Sequence, residues 1–595
     1  MIKLTEINGR DLYYAFLAGS SRILKQQDLL NKINVFPVPD GDTGSNLAST
    51  VRYILDKTKP NRSFKKTADS IAAAALDGAR GNSGIIFAQF LYGFSQKIDQ
   101  EYQINVRRFS QAVQNAFHLS FHAMETPVEG TILTVLRDWV NHIDRIKEKI
   151  DDFFQLIVES FKTAKNSLQE TPRKLPLLKK YHVVDAGAQG FVFFLEGIID
   201  FIKERSIRKI LRFKTTKIEP VNDPHPVEDI RHRYCTEAII ESADLDRQAI
   251  RNRLLELGDS LVIAGSRQKM RLHLHTDTPA EAFHRLKDFG ILPFQKVDDM
   301  RRQYETVHQR KWNIALVTDS VCDLPPEVMD RYQVHMVPIN IHFGRSVFLD
   351  KKSMTPDQFY ARLAEETEFP TTSQPALQDL VSLYRFLASH YDSVISVHMS
   401  KHLSGTWNVS RKAAQEIEKE TGKKITVINS RHLSGTLGLM VLRTAEAIAQ
   451  GLSHDEIVEQ IGTWADKAVI LVSVKTLKFM IKGGRVSSMK GWLANLLHLK
   501  PIISLDNQGK SVLYDKTFSQ KGNMKKVMKM AREKMCHNTP WKYSVLHAHE
   551  PREAAFYAEK LTQILGLPPD FIIDISPAVG LSAGHGAVAV AVMFK

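Results

Sequence analysis

Apolar residues recur at three- and four-residue spacings through Leu12 to Ile33, Thr67 to Leu76, Phe109 to Ala123 and Ile132 to Ile150. Each stretch therefore predicts an amphipathic helix burying one face. No strand-like alternation interrupts them, so residues 1–212 are expected to be all helical. The texture changes near Val221, where Pro220, Pro224 and Pro226 mark a linker. Strand-like runs follow at Tyr234 to Ile240, Leu261 to Gly265 and Met270 to Asp277, predicting a small α/β domain over 225–308. Side chains alternate across a strand, so His273 and His275 share a face. From Trp312 a buried strand, Asn313 to Ser320, opens a third region. Val394 to His398, Ile425 to Ile428 and Ala468 to Val474 read as further strands, with helices at Trp407 to Lys419 and Leu437 to Ala449. Residues 311–595 are thus expected to be α/β.

Length agrees with this division, because 595 residues exceed one core and domains of about 100–200 residues imply three or four. Three scattered cysteines, Cys235, Cys322 and Cys536, exclude a disulfide framework and leave reduced thiols or a metal ligand. Met1 to Glu6 contains no apolar signal stretch, and the most apolar segment, Phe191 to Ile202, is broken by Glu196 and Asp200. The expected compartment is the cytoplasm. A net charge of +14 suits nucleic acid, an anionic membrane or an acidic substrate. No zinc-finger spacing or basic-aromatic motif accompanies it, so nucleic acid is not expected, and runs such as Lys203 to Lys217 also suit a solvated face.

The chemistry concentrates in loops between the helices. Asn34 to Asn46 places Asp40 and Asp42 around Gly41, followed by Thr43, Gly44, Ser45 and Asn46. Two carboxylates this close repel one another when empty, so a divalent cation suits the loop, and magnesium would bring phosphate oxygens with it. A polar turn accounts for the same residue types. Three more glycine-polar loops follow, Asp77 to Gly84, Pro127 to Thr131 and Val184 to Gly190. Gly81-Asn82-Ser83-Gly84, opening an apolar stretch, would aim free N–H groups at an anion. No Walker sequence occurs, so a nucleotide site would be built from these inter-helix loops.

Phe36 to Asn46, Gly78 to Gly84, Pro127 to Thr131 and Val183 to Gly187 together resemble the ordered signature of the dihydroxyacetone kinase L-subunit family, in the branch of the fatty acid kinase catalytic subunit. The resemblance implies an all-α helical barrel whose end loops bind ATP through two magnesium ions. It makes Asp40 and Asp42 the metal carboxylates, with Asn34 standing where the dihydroxyacetone enzymes carry a third Asp. Thr43, Gly44, Ser45, Asn46, Gly81, Asn82, Ser83 and Thr131 would form the nucleotide pocket. Ser45 replaces a more usual Thr, and Ala188 a Gly. From spacing alone, Cys235, His273 and His275 suit either a buried Cys with two surface His or a zinc site. The middle domain of fatty acid kinase carries a matching Cys-Thr-Glu strand and His-x-His-Thr strand, which implies a zinc site of structural role at these three residues.

Val317 to Ser320, Thr372 to Pro375, Leu403 to Thr406 and Gly483 to Arg485 resemble the ordered marks of the DegV family, whose two α/β lobes hold a fatty acid in an apolar tunnel. By that resemblance Thr372, Ser373, Ser404 and Gly405 would meet the carboxylate, Arg485 would supply charge, and Ser582 stands where the family has histidine, with His585 three residues on. Taken singly, each hydroxyl also suits a turn or a helix cap. His432 to Thr436 repeats His402 to Thr406 word for word, but the flanks differ and coincidence is the expectation. The two resemblances together imply a fatty acid kinase with its own carrier, forming acyl phosphate for phospholipid synthesis. They further imply an acyl-phosphate-using acyltransferase as partner and a homodimer, while the positive charge suits transient contact with an anionic membrane surface or, more simply, a solvated face. A regulatory lipid-binding protein whose helical domain senses nucleotide without turnover is the alternative.

Overall fold

The computed structural model describes residues 3–37, 41–204, 230–484 and 500–595. Asp40, Arg485 and the linker prolines Pro220, Pro224 and Pro226 lie outside the described residues. The chain forms two compact units, Met1–Thr278 with Arg285–Tyr304, and Pro279–His284 with Glu305–Lys595.

The first unit runs through helices α1 (Gly9–Lys25), α2 (Gln27–Lys32), α3 (Thr43–Lys57), α4 (Phe64–Gly78), α5 (Gly81–Gln96), α6 (Val106–Ala123), α7 (Ile132–Ile146), α8 (Phe153–Lys174), α9 (Pro176–Tyr181) and α10 (Ala186–Glu204). Several begin where the sequence supplies caps. Asn8 and Asp11 form a reciprocal capping box at α1, and Ser63, Asn105 and Asp152 accept helix N–H bonds at α4, α6 and α8. Their apolar faces meet in a core that includes Phe16, Val51, Phe87, Trp139 and Phe191. Two expectations are corrected. The helix expected over Leu12 to Ile33 is two, divided at Gln26. The region is also not wholly helical, since β1 (Glu6–Asn8) and β2 (Gln103–Asn105) pair antiparallel. Three residues are too short to show an alternation.

The middle region of this unit is an antiparallel sheet of β3 (Tyr234–Glu241), β4 (Gly258–Gly265), β5 (Lys269–Thr276) and β6 (Ile291–Asp299), in the order β4-β5-β3-β6. It shares its core with the helices, because Val262 and Ala264 join the helical cluster. The buried Gln89 side chain of α5 accepts the Gly265 N–H at 2.7 Å.

The second unit contains a parallel sheet ordered β13-β12-β7-β8, from β7 (Ile314–Asp319), β8 (His335–Val337), β12 (Ser393–His398) and β13 (Lys424–Asn429). A small antiparallel sheet joins β9 (Asn340–Phe343), β10 (Ser346–Leu349) and β11 (Thr371–Ser373). A six-stranded sheet follows in the order β16-β15-β14-β19-β17-β18, from β14 (Ala468–Ser473), β15 (Lys500–Leu505), β16 (Ser511–Thr517), β17 (Pro540–His547), β18 (Phe571–Asp574) and β19 (Val588–Phe594). The parallel and six-stranded sheets each carry their own hydrophobic core, one around Tyr384 and Val394, the other around Tyr543 and Tyr557. This is the two-lobed α/β architecture expected for 311–595.

Candidate functional site

In the first unit, two helix N-termini open onto one pocket lined by Asn34, Asp42, Thr43, Asn46, Gly81, Asn82, Ser83, Cys235, His273 and His275. α3 begins at Thr43 and α5 at Gly81, and neither start is capped by the side chain of the preceding residue. A positive dipole end and N–H groups without a partner inside the helix favour an anion at such a place, although the Ser45 N–H already bonds Asn31 Oδ1 and the Gly81 N–H bonds Glu237 Oε1. Gly81 has φ +60, and a Cβ there would lie 2.5 Å from the Asn46 amide, so this turn favours glycine. The Asn82 Oδ1 is buried without a hydrogen-bond partner. Thr43 donates its hydroxyl to Asn34 Oδ1, which joins two oxygen donors of the expected metal loop.

The remaining nucleotide candidates stand behind this pocket. Ser45 turns to α2, taking the Asn31 amide at 3.0 Å, and Gly44 packs so closely on α2 that a Cβ would meet Gln27 O at 2.1 Å. Thr131 heads α7 and donates to Val128 O at 2.8 Å. The next residue, Ile132, donates its N–H to the buried Asp185, whose loop approaches Ser83 at Gly187. Burial pushes the Asp185 carboxyl up to about 6, against the N–H bonds from Ala188 and Ile132. The folded protein then holds a proton that the unfolded chain releases, so this contribution to stability falls as pH rises from about 4 to about 6 and is flat above. A shift from 3.8 to about 6 corresponds to about 3 kcal/mol. Denaturant titrations should show Asp185→Asn gaining on wild type across that window, and a stability difference that ignores pH would refute the assignment.

Register explains the metal-type cluster. β3 and β5 pair antiparallel with Cys235 opposite His275 and Glu237 opposite His273, while β6 sets Asp298 beside Cys235 and Lys296 beside Glu237. Alternation therefore puts Cys235, Glu237, Arg271, His273, His275 and Lys296 on one face. Ligand atoms of Cys235, His273 and His275 lie within 4.8 Å of one another, and Cys235 Sγ is 3.7 Å from His273 Nδ1. His273 Nε2 is buried without a partner. Burial pushes the Cys235 thiol well up and holds the His275 imidazole well below its usual range. A sulfur and two imidazoles fit zinc, with a fourth position left for another ligand. The cluster shares the wall of the phosphate-type pocket, a juxtaposition that the structural role expected from sequence did not anticipate.

In the second unit a cavity of about 310 Å³ is lined by Thr372, Ser373, Ser404, Gly405 and Ser582, which are all the described lipid candidates. Its apolar wall comes from the six-stranded sheet, including Ile470, Val472, Ile503, Leu546 and Ala589, and from Val321, Ile339, Met399, Leu403 and Leu433 outside it. Two polar neighbours were not singled out from sequence. Gln374 lies over Gly405, where a Cβ would meet its Oε1 at 1.8 Å, and His342 Nε2 stands 2.8 Å from Ser373 Oγ. Gln374 lay within the Thr372 to Pro375 motif without being given a role, whereas His342 gave no signal beyond strand alternation. His585 is not among the lining residues and packs instead beside Tyr360 and His549.

The repeated words prove spatially related. His402 to Thr406 follows β12 and His432 to Thr436 follows β13, each running into a helix, and Leu433 and Ser434 line the same cavity. The hydroxyls differ in use, since Ser434 donates to the buried Asp323 at 2.6 Å while Ser404 contacts Thr406. Asp319, in the Val-Thr-Asp-Ser motif, accepts the Met399 N–H at 2.9 Å and stands 3.1 Å from His398, whose other nitrogen is 2.8 Å from Ser396. These are triad distances, yet all three side chains are wholly buried and none lines the cavity, so the group braces β7 against β12.

Family models match three successive regions: a DAK2 domain over 37–200, the FakA-like middle domain of fatty acid kinase over 231–307, and the DegV family over 313–595. Uncharacterized proteins of Staphylococcus haemolyticus and Staphylococcus epidermidis are each 32% identical over 323 residues, which is 52% of this chain and 58% of theirs. The chain thus spans under two thirds of the length of these curated relatives. Among solved structures, DegV of Bacillus subtilis, described as a fatty acid binding protein, is 28% identical, with 48% of this chain and all of that one covered and a TM-score of 0.45. A DegV family protein from Thermus thermophilus is 27% identical with the same coverage and TM-score. One polypeptide therefore joins a DAK2 domain, a middle domain of the fatty acid kinase type and a DegV-family domain.

Proposed function

We propose that the chain is an ATP-dependent fatty acid kinase that phosphorylates the carboxylate of a fatty acid bound in its own DegV-like region. The observation that carries this reading is the pairing, in one chain, of a two-helix anion pocket edged by Asp42 with an apolar cavity bordered by hydroxyls. A carboxylate set beside an apolar wall needs such donors, because burying an unpaired charge costs several kcal/mol. Thr372, Ser373 and Ser404 supply them and fix which end of the acid is presented. That carboxylate is ionised at neutral pH and needs no general base. Its oxygen forms a bond to the γ-phosphorus as the β–γ bridging P–O bond breaks, giving acyl phosphate and ADP.

Thr43, Asn82, Ser83 and the two helix starts orient the phosphates. Asn34, Asp42 and Asp40 would hold two magnesium ions, which supply charge neutralisation on the phosphates. Covalent connection of carrier and kinase raises their effective concentration. The product would pass to an acyl-phosphate-using acyltransferase. For delivery, the helix Gln520–His537 presents Lys521, Lys525, Lys529 and Arg532 along one exposed face, beside Phe518, which is 88% exposed. Such a basic stripe with an aromatic residue fits an anionic membrane surface. No helix among the described residues is long and apolar enough to cross a membrane.

The test is to incubate delipidated protein with ATP, magnesium and a long-chain fatty acid and to trap acyl phosphate with hydroxylamine. Hydroxamate formation is expected. Ser582, in the cavity wall where the resemblance puts histidine, favours a second reading, a lipid-binding protein that senses nucleotide. Lipid and nucleotide binding without hydroxamate would select it. Elemental analysis should find zinc in the wild type and lose it in Cys235→Ser, and equal zinc in both would remove that site.

A further inference from the structure

The buried Glu237 and Arg271 form a pair that the proposed chemistry does not use. Both are 1% exposed. Arg271 Nη2 donates to Glu237 Oε2 at 2.7 Å, and each partner also makes a hydrogen bond to the helices. Arg271 Nη1 donates to Asp77 O at 2.9 Å, at the end of α4, while Glu237 Oε1 accepts the Gly81 N–H at 2.7 Å, at the start of α5. One ion pair from the sheet therefore grips the turn Gly78–Gly81 at both ends. Gly81 is followed at once by Asn82 and Ser83 in the pocket wall, and its amide is among the first of α5, which have no partner within their own helix. The guanidinium groups of Arg80 and Arg271 also flank the Phe294 ring, at 4.6 and 4.8 Å, which fixes the turn laterally.

We propose that Glu237 is a positioning residue for the nucleotide pocket: through its acceptor bond to Gly81 it sets the start of α5, so that Asn82 and Ser83 meet the phosphates. A pair serving only fold stability would need the opposite charges and would not depend on where the Gly81 N–H is held. The proposal rests on the nucleotide site of the kinase reading and adds a residue to it.

Two variants of the full chain separate the possibilities. Glu237→Asp keeps the charge opposite Arg271 but withdraws the oxygen from Gly81 by one methylene. Glu237→Gln with Arg271→Met removes both charges and keeps an amide oxygen for Gly81. Affinity for magnesium and a fluorescent ADP analogue should fall about 10-fold or more in Glu237→Asp, as for a buried N–H left without its acceptor, and stay within about threefold of wild type in the double variant. Undiminished binding in a folded Glu237→Asp, or a larger loss in the folded double variant, overturns the proposal. Should either variant fail to fold, Glu237→Leu with Arg271→Met takes its place, and binding within threefold of wild type there overturns it equally. A wild type that binds no nucleotide sinks the kinase reading itself, and this proposal with it.

Discussion

Asp42→Ala should lower hydroxamate yield by about 10²–10³ while fatty-acid affinity stays unchanged, the size of loss seen when a single charge-stabilising group is taken from a transition state. Asp42 stands directly before α3, but its side chain caps no helix N–H, so alanine removes no cap. The α3 bond from Asn46 N to Asp42 O involves the backbone alone and survives the change. The carboxylate edges a pocket where two helix starts already favour anions, and a phosphate binds there without repulsion only if a cation sits between. Fatty-acid affinity gives the control, because the described residues lining the apolar cavity all belong to the second unit. Full acyl-phosphate formation by the variant would remove Asp42 from the machinery, and joint loss of both activities would point to misfolding.

Ala589→Phe should weaken binding of a long-chain acid by about 100-fold. Ala589 of β19 pairs with Val472 of β14, and both line the cavity. A ring at this position takes space that would hold about four methylenes, each worth about 0.8 kcal/mol, for a total of about 3 kcal/mol. The loss should therefore depend on length, with a short acid that never reaches the ring bound almost as before. Equal loss at every chain length would place the acid elsewhere. Overpacking costs about 1–3 kcal/mol where no cavity receives the ring, so an unchanged melting temperature also argues for open space at this wall.

Much of the molecule could be read from its residues, and the exceptions have physical causes. Long amphipathic stretches were legible because each helix repeats its apolar stripe several times, as over Val106–Ala123 and Ile132–Ile146. Strand alternation likewise placed His273 and His275 on one face. The break at Gln26 was hidden because apolar spacing continues across it, and β1 and β2 because three residues carry no period. At the site, motif residues such as Thr43, Asn82, Thr372 and Ser404 did reach pocket walls. What could not be read was their company. Which face of β3 meets which helix start depends on packing between regions distant in sequence, so Glu237, although quoted with the Cys-Thr-Glu strand, showed no task until Gly81 was beside it. His342 and Gln374 were missed for the same reason, as their meaning lies in β9 and β11 pairing.

The repeated His-Leu-Ser-Gly-Thr words bear on how relatives of this chain are compared. Both stand at the ends of neighbouring parallel strands and border one cavity, so an alignment that slides one copy onto the other still matches strand to strand, turn to turn and helix to helix. Such a slip would score well and look structurally sensible. It would nonetheless transfer the carboxylate-binding role proposed for Ser404 to Ser434, whose hydroxyl is committed to Asp323. The partner of each serine, rather than the word around it, identifies the equivalent position in another member.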